Sequence, residues 1–245
     1  MIRYIKKMAS KWMPPICILC RQKSHQSWDL CQACYLDLPI LSQTCRRCAN
    51  ILHGTSNSLC GTCLKQPPPF QVTHALFGYH QPVDQLLLAL KFNQAFSHGR
   101  LLGELLADRI QHQWYREKPL PSAIIPMPLH PIRQRERGFN QSIELARPIA
   151  KKLQLPLLDT VCERIKSTMA QASLPAHQRR SNITGAFAIK KPILYRHVVI
   201  VDDIITTGHT VRELCHLLKN HEVETIDIWC CARSSISTEI QQLTP

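Results

Sequence analysis

The stretch that most constrains the fold is residues 197–220, H-V-V-I-V-D-D-I-I-T-T-G-H-T-V-R-E-L-C-H-L-L-K-N. Four consecutive β-branched residues, 198–201, predict a strand that is buried on both faces of a parallel sheet. Apolar residues then recur at the i, i+3, i+4 and i+7 spacing of an amphipathic helix, at Val211, Leu214, Cys215 and Leu218. This strand-turn-helix order is typical of an α/β fold, and together with the motifs described below we expect a parallel sheet of about five strands flanked by helices.

The turn between this strand and helix is short and rich in hydroxyl groups, with the sequence Thr206, Thr207, Gly208, His209, Thr210. It is expected at the carboxyl end of a sheet strand, where backbone N–H groups and the helix dipole favour an anion. The glycine allows close approach of the backbone, and the threonine hydroxyls donate further hydrogen bonds. The turn is therefore a candidate phosphate site, although βα turns with a threonine N-cap also occur without a ligand.

Two carboxylates, Asp202 and Asp203, directly precede the turn. They are not suited to bind phosphate, because like charges repel, so we expect them to bind hydroxyl groups or a metal ion on the same ligand. A sugar phosphate meets both demands. The whole string resembles the 5-phosphoribosyl-1-pyrophosphate (PRPP) motif of type I phosphoribosyltransferases. The resemblance implies that the two aspartates hold the ribose 2′- and 3′-hydroxyls and that residues 206–210 wrap the 5′-phosphate, with His209 at the variable position.

Eight of the twelve cysteines form four C-x-x-C knuckles, Cys17/Cys20, Cys31/Cys34, Cys45/Cys48 and Cys60/Cys63. Each knuckle offers two thiolates to one tetrahedral metal ion, so four knuckles predict two closed, structural Cys₄ zinc sites. Sequential pairing of the knuckles gives two zinc ribbons in tandem, and a cross-brace of the first with the third also fits the spacing. The other four cysteines lack ligand spacing and are predicted to be small core residues, Cys162, Cys215, Cys230 and Cys231.

The chain of 245 residues can hold one ordinary domain and a smaller module. We expect a basic N-terminal arm (1–14), a double zinc ribbon (15–66), a stiff triple-proline linker and a phosphoribosyltransferase-like domain (70–235). Neither a secretory h-region nor an apolar run long enough to span a bilayer is found, so a cytoplasmic protein with reduced or metal-bound thiols is expected. The formal charge of +13 favours polyanionic partners, either nucleic acid or phosphorylated small molecules.

A second stretch, residues 122–142, combines a short buried strand with spaced prolines and three arginines. In phosphoribosyltransferases the loop after the first core strand binds pyrophosphate through backbone amides. By resemblance this loop falls at residues 127–131, and the residues assigned to it are Met127, Pro128, Leu129 and His130. The arginines then lie at or near the mouth of the cleft as candidate contacts for DNA or phosphate, Arg133, Arg135 and Arg137.

Taken together, these motifs resemble the ComF-like competence proteins, which carry a double zinc ribbon before a phosphoribosyltransferase domain. The matching strings are the four knuckles, P-M-P-L-H-P-I-R-Q-R-E-R-G-F-N-Q, R-I-K-S-T-M-A-Q-A-S-L, G-A-F and V-D-D-I-I-T-T-G-H-T. Arg179 and Arg180 follow the third string and are further candidate contacts for DNA or phosphate. By its place before the PRPP turn, the segment 164–180 corresponds to the loop that closes over substrate in related enzymes.

The resemblance implies a PRPP- and Mg²⁺-binding protein of natural transformation that assists uptake or handling of single-stranded DNA, with competence-machinery proteins as partners. The alternative is an active phosphoribosyltransferase acting on an unidentified base or amine. No residue is an obvious general base, so the catalytic residues stay unassigned.

Two local expectations concern single residues. Pro148 should kink or restart its helix. Lys91 should extend its ammonium group to solvent, with a contact to ligand phosphate as the alternative.

Overall fold

The computed structural model describes residues 15–24, 28–52, 58–166 and 184–234. The expected N-terminal arm, Arg179, Arg180 and most of the expected closing loop lie outside these residues. Within them the elements are, in chain order, α1 (Gln32–Leu36), α2 (Gly61–Lys65), β1 (Val72–Gly78), α3 (Val83–Asn93), α4 (Phe96–Arg109), a π-helical turn (Ile110–Trp114), β2 (Ala123–Pro126), α5 (Pro131–Arg137), α6 (Gln141–Leu153), β3 (Cys162–Arg164), β4 (Phe187–Ile189), β5 (His197–Ile205), α7 (His209–Lys219) and β6 (Thr225–Arg233).

The main sheet has four parallel strands in the order β1-β6-β5-β2. Next to β2, Leu157 makes a single parallel bridge with Ile124, so the expected fifth strand is reduced to a one-residue extension of the sheet. β3 and β4 form a separate antiparallel pair. The parallel sheet flanked by helices confirms the α/β fold.

The central strand β5 explains the run of β-branched residues. Val199 and Val201 pack into the apolar layer under α3, α4 and α6, whereas Val198 and Ile200 pack into the layer under α7. Successive side chains of a strand point to opposite faces, so a strand covered by helices on both faces needs apolar residues at every position. All four side chains are fully buried, as predicted.

The helix α6 continues through Pro148, so of the two predicted effects, a kink or a restart, the restart does not occur. Its partner helix α4 has Gly103 at the contact, where an added Cβ would overlap the proline ring and the Leu145 carbonyl oxygen. The missing side chain lets the two helices approach closely. The close packing of α4 on α6 stabilises a helix that local propensity alone would interrupt.

The zinc-ribbon module is joined to the sheet by hydrogen bonds and by packing. Leu41 N donates to Leu76 O (3.0 Å) and Gly78 N donates to Pro39 O (2.8 Å), which covers the carboxyl half of the edge strand β1. Leu30 and Leu38 belong to the apolar layer under α3, α4 and α6. In the part of the chain that the structure describes, no helix combines the length and apolar character that crossing a membrane requires.

Candidate functional site

The two aspartates lie inside the carboxyl-terminal part of β5 and are buried, with exposed fractions of 8% for Asp202 and 4% for Asp203. Asp202 Oδ1 accepts hydrogen bonds from Ser142 Oγ (3.2 Å) and from the Asp203 backbone N–H (2.9 Å). Asp203 Oδ1 accepts from Gln141 Nε2 at 3.4 Å. The first turn of α6 therefore holds both carboxylates in fixed positions.

The start of α6 is itself fixed by Asn140. Its side-chain oxygen accepts from Ser142 N (2.9 Å), which caps the helix, and its Nδ2 donates to Met127 O (3.0 Å). The string N-Q-S thus ties the acidic pair to the loop after β2. Sequence reasoning quoted part of this string for its family likeness but did not assign Gln141 or Ser142 to the site.

Lys91, near the end of α3, forms an ion pair with Asp203. The expectation that its ammonium group would extend to solvent is wrong, because only 19% of the side chain is exposed and it points to the carboxylate. The cause is tertiary: α3 ends over the carboxyl edge of the sheet, where an anion is within reach of the lysine.

Burial and charge set the protonation of these three groups. Burial raises the pKa of Asp202 to about 8, and the negative charge of Asp203 adds to this rise. Burial also opposes ionisation of Asp203, but the Lys91 ammonium outweighs it and lowers the pKa of that carboxyl. Burial is the largest single influence and lowers the pKa of Lys91, but the charge and hydrogen bond of Asp203, with smaller contributions from Asp202 and Tyr79, together raise it. Lys91 therefore favours the charged form of Asp203, whereas burial and the charge of Asp203 favour the protonated form of Asp202.

The predicted phosphate turn lies directly beyond the acidic pair. Gly208 has φ +77°, in the left-handed region, and is the N-cap of the 11-residue helix α7. A Cβ at this glycine would meet nothing closer than Ile205 Cγ2 at 3.9 Å, so backbone conformation and not space selects glycine. The turn therefore presents the N-terminus of a full helix at the carboxyl end of β5, as predicted.

Arg233, the last residue of β6, lies behind this turn and is only 4% exposed. Its Nη1 donates to the carbonyl oxygens of Ile205 (2.8 Å) and Ser234 (3.1 Å) and also to that of Thr206. The guanidinium group thus fixes the backbone of the turn and adds a buried positive charge beside a candidate anion site. No local pattern marked this arginine, because two of its three partners, Ile205 and Thr206, are distant from it in the sequence.

The predicted pyrophosphate loop connects β2 to α5. Met127 N donates to Val201 O (2.8 Å), which places the start of the loop beside the acidic end of β5. His130 caps α5, and its side chain accepts from Ile132 N. Hydrogen bonds thus bring the start of this loop and the start of α6 to the acidic end of β5. We call this region (residues 127–130, 140–142, 202 and 203) the acidic cleft, after the cleft that the sequence predicts there.

The three arginines lie on the short helix α5 and have different environments. Arg137 lies over the Phe92 ring, 5.8 Å from its centre, and donates to Gln141 Oε1 at 2.5 Å. Burial lowers the pKa of Arg137 and the charge of Asp203 counteracts this. Arg133 forms an ion pair with Glu136 at 3.7 Å, and Arg135 is exposed. Arg137 is therefore linked to Asp203 through Gln141, whereas Arg133 and Arg135 are exposed.

The eight knuckle cysteines form two clusters, one from the first two knuckles and one from the last two. The structure decides for sequential pairing and against the cross-brace. In each cluster the four sulfur atoms lie within 4.8 Å of one another, which suits a zinc ion with Zn–S bonds of about 2.3 Å. These are the two zinc-binding clusters of a double zinc ribbon.

The thiol environment also fits zinc. Cys60 N donates to Cys45 Sγ at 3.3 Å. Burial raises the pKa of Cys45, but backbone N–H groups, led by that of Cys60, outweigh it and lower the pKa to about 7. Burial and the neighbouring thiols raise the pKa of Cys34 and Cys63, so a divalent cation is what would allow all four sulfurs to be thiolates.

The second zinc cluster, formed by the knuckles from Cys45 to Cys63, adjoins the phosphate turn. A cavity of about 70 Å³ separates them, and its walls include Cys48, Gly208 and Arg233. The first cluster lies elsewhere, against α4, where Asp29 pairs with Arg100. The two ribbons are therefore alike in chemistry but different in their relation to the candidate site.

Comparison with known proteins gives two domain matches and several full-length relatives. The model of the phosphoribosyl transferase domain matches residues 140–241, and that of the double zinc ribbon domain matches residues 11–64. The DNA utilization protein YhgH of Escherichia coli O157:H7 is 34% identical over 91% of this chain and 98% of that protein. Competence protein F of Haemophilus influenzae is 36% identical over 89% of this chain and 96% of that protein.

A more distant relative is competence protein ComFC of Streptococcus pneumoniae, 26% identical over 76% of this chain and 80% of that protein. Among solved structures, a hypoxanthine-guanine phosphoribosyltransferase from Bacillus anthracis is 14% identical and covers 56% of this chain and 69% of its own, with a TM-score of 0.35. A likeness at this TM-score supports no conclusion about function.

Proposed function

Because the chain belongs to the family of competence protein F and the DNA utilization protein YhgH, a double zinc ribbon joined to a phosphoribosyltransferase domain, we propose that it binds PRPP with Mg²⁺ and assists the uptake or handling of single-stranded transforming DNA. Competence-machinery proteins are its proposed partners. The cytoplasm is its proposed location, since zinc thiolates persist where thiols are kept reduced.

The observation that carries the PRPP proposal is the junction of an acidic pair and a helix N-terminus on one strand-turn-helix unit. In this proposal Asp202 and Asp203 accept hydrogen bonds from the ribose hydroxyls, and residues 206–210 bind the 5′-phosphate. The loop at 127–130 and Arg137 face the pyrophosphate. Mg²⁺ would bind near Asp202 and Asp203, and when bound it would neutralise the charge of the pyrophosphate.

Lys91 bears on how the ligand enters. In the free protein its ammonium group already neutralises Asp203, so the Mg²⁺ ion of a bound Mg²⁺–PRPP complex must share or replace this ion pair. Asp202 carries a proton near neutral pH, and a cation at the site would favour its release. Binding is therefore expected to release a proton and to strengthen as the pH rises toward 8.

The test is calorimetry of PRPP binding with and without Mg²⁺, using Asp203→Asn. The substitution keeps the size of the side chain and removes its charge, and loss of one charge-assisted hydrogen bond costs about 1.5–3 kcal/mol. We expect affinity to fall by about ten- to a hundredfold and wild-type binding to require Mg²⁺.

The matched control is Asp159→Asn, at an exposed position outside the cleft, which should bind PRPP as wild type does. Thermal unfolding of each variant establishes that it is folded before titration. Equal PRPP affinity in wild type and Asp203→Asn would reject the assignment of the ribose site.

An active phosphoribosyltransferase is the second candidate, and the match to the transferase domain favours it. In that reaction a nitrogen nucleophile of the acceptor forms a bond to the ribose anomeric carbon while the bond to pyrophosphate breaks. Pyrophosphate release with a panel of bases and amines tests it. Acceptor-dependent release that Asp203→Asn abolishes supports the enzyme, and PRPP binding without release for any acceptor supports a binding role.

A further inference from the structure

A large recess lies between the second zinc ribbon and the amino-terminal half of the edge strand β1, and its walls include neither the acidic pair nor residues 127–130. We refer to it as the basic groove; its volume is about 650 Å³, within the range of about 300–1,000 Å³ typical of ligand clefts. Its walls include Arg46 and Arg47 from the ribbon, His74 from β1, Trp114 from the π-helical turn, and Lys118 beyond it.

The charge of the basic groove has one sign. Two arginines and a lysine line it, and no aspartate or glutamate is among the described residues of its walls. Arg46 and Lys118 are exposed, whereas Arg47 is held in place by a hydrogen bond from its Nε to Phe70 O at 3.2 Å. Cations from two separate parts of the chain line the same recess, which suits an anionic chain that runs through it.

The floor of the groove carries a stacked pair of rings. His74 and Trp114 lie 4.7 Å apart with an angle of 13° between their planes, and Tyr115 contacts His74 edge-on. Burial lowers the pKa of His74 to about 4, and the charge of Lys118 contributes, so the imidazole is neutral at physiological pH. The recess is therefore lined by neutral aromatic rings together with cations, the combination that binds single-stranded nucleic acid.

The arginines of α5 offer no such surface. Arg137 contacts Phe92 and Gln141 within the acidic cleft, and Arg133 has Glu136 as its partner. The described rings near them are the exposed Phe92 and the edge-on pair of Phe96 and Phe139, and none of these is a stacked pair. This contrast separates the two basic regions of the molecule by chemistry: one faces a candidate PRPP site, and the other faces a recess with room for bases.

We propose that the basic groove binds single-stranded nucleic acid, with a base stacked on the Trp114–His74 pair and flanking phosphates on Arg46, Arg47 and Lys118. The inference rests on the proposed role in DNA handling and gives that role a location. Residues 72–74 lie at the amino-terminal end of β1 and pair with residues 227–229, whereas the acidic pair and the turn lie at the carboxyl ends of their strands. DNA and PRPP are therefore expected to bind together and not to compete.

Fluorescence anisotropy of the full chain with a labelled oligothymidine of about 16 nucleotides tests the proposal. Trp114→Ala should weaken binding by about tenfold, since stacking of one base is worth ~1–3 kcal/mol. Because Trp114 also packs on the apolar layer, a second variant joins Arg46→Ala to Lys118→Ala, two exposed positions. It should reduce the salt dependence of log affinity by about 0.7 per lost phosphate contact.

The matched control joins Arg133→Ala to Arg135→Ala, which removes the same charge from α5 and should leave DNA affinity and salt dependence near wild type. Millimolar PRPP at constant ionic strength should not displace the oligonucleotide. The affinity for thymidine monophosphate distinguishes a pocket for one nucleotide from a groove that binds a strand. A groove should bind the oligonucleotide more tightly than the monophosphate, whereas a pocket should bind both equally.

Wild-type binding that the α5 control weakens and the groove variants leave unchanged would overturn the location, while the proposed role in DNA handling would stand. Equal affinity for thymidine monophosphate and the oligonucleotide would overturn strand binding in favour of a nucleotide site. No binding by wild type even at low salt would remove both the groove proposal and DNA handling, and calorimetry with PRPP would still report on the acidic cleft.

Discussion

One buried site holds Asp202, Asp203 and Lys91. Their total charge is smaller than the net charge of −1 that two ionised aspartates and one lysine would give. Two carboxylates side by side in a place of low solvent access cannot both ionise without a large cost. One pairs with the lysine and stays charged, and the other keeps a proton to about pH 8. A cation that binds beside these carboxylates is therefore expected to displace the proton of Asp202.

This protonation pattern predicts a pH-dependent stability that Asp202→Asn removes. The pKa of Asp202 rises from 3.8 to about 8 on folding, so between these values the folded state holds a proton that the unfolded state has lost. Stability then falls as the pH rises, by at most ~1.4 kcal/mol per pH unit for one group, and the variant lacks this fall.

Urea unfolding of both proteins between pH 6.5 and 8 measures the difference. The window lies above the titration of His74, whose pKa falls from 6.5 to about 4 on folding and which therefore contributes an opposite slope only at lower pH. Asp203, with its lowered pKa, loses its contribution only in acid. Asp159→Asn is the control and should follow the wild-type profile, and parallel profiles for wild type and Asp202→Asn would contradict the protonated carboxyl.

At the scale of elements, two helices on one face of the sheet position the site. The first turn of α6 supplies Gln141 and Ser142 to the carboxylates, and α4 packs along α6. The contact is close because Gly103 of α4 has no side chain where Leu145 and Pro148 of α6 approach. The position of the acidic cleft therefore depends on a helix pair that contains none of its charges.

We predict that Gly103→Ala destabilises the fold by about 1–3 kcal/mol, the usual cost of overpacking a tight contact. The new methyl group would overlap the Leu145 carbonyl oxygen, which cannot move without moving the helix. Urea unfolding gives the free energy, and Gly61→Ala is the control because nothing lies within 4 Å of its Cβ position. A variant as stable as wild type would show that α4 and α6 can separate at little cost.

At the scale of the whole molecule, the zinc ribbons are parts of the candidate site's surroundings. The second ribbon shares a cavity with the phosphate turn and with Arg233, and it also forms one wall of the basic groove through Arg46 and Arg47. The first ribbon packs on α4. The spacing of the cysteines predicts a separate metal-binding module. In the structure its second ribbon lines both candidate binding regions.

Elemental analysis of protein purified without added metal should give two zinc ions per chain. Cys20→Ser in the first ribbon and Cys48→Ser in the second should each lower the count by one. Only the second substitution removes a wall of the cavity behind the turn, so we expect a several-fold loss of PRPP affinity for Cys48→Ser and near wild-type affinity for Cys20→Ser. Equal PRPP affinity in both variants would contradict the link between the second ribbon and the turn.

The features that the sequence by itself determined are those encoded in adjacent residues. The β-branched run predicts the strand β5, and the glycine predicts the turn, both through backbone sterics. The spacing from Val211 to Leu218 predicts the helix through side-chain periodicity. The spacing of the C-x-x-C knuckles predicts zinc binding. The same spacing fits both sequential and crossed pairing of the knuckles, so only the folded chain decided between the two pairings.

Only the tertiary structure decided which distant residues complete each site. Lys91 reaches Asp203 because α3 ends above the carboxyl edge of the sheet, and Arg233 reaches the turn because β6 lies beside β5. The basic groove exists because a ribbon, an edge strand and a π-helical turn meet. Local patterns fix the conformation of a segment, whereas the partner of a buried charge or ring is fixed by the sheet order and helix packing that minimise buried unpaired groups.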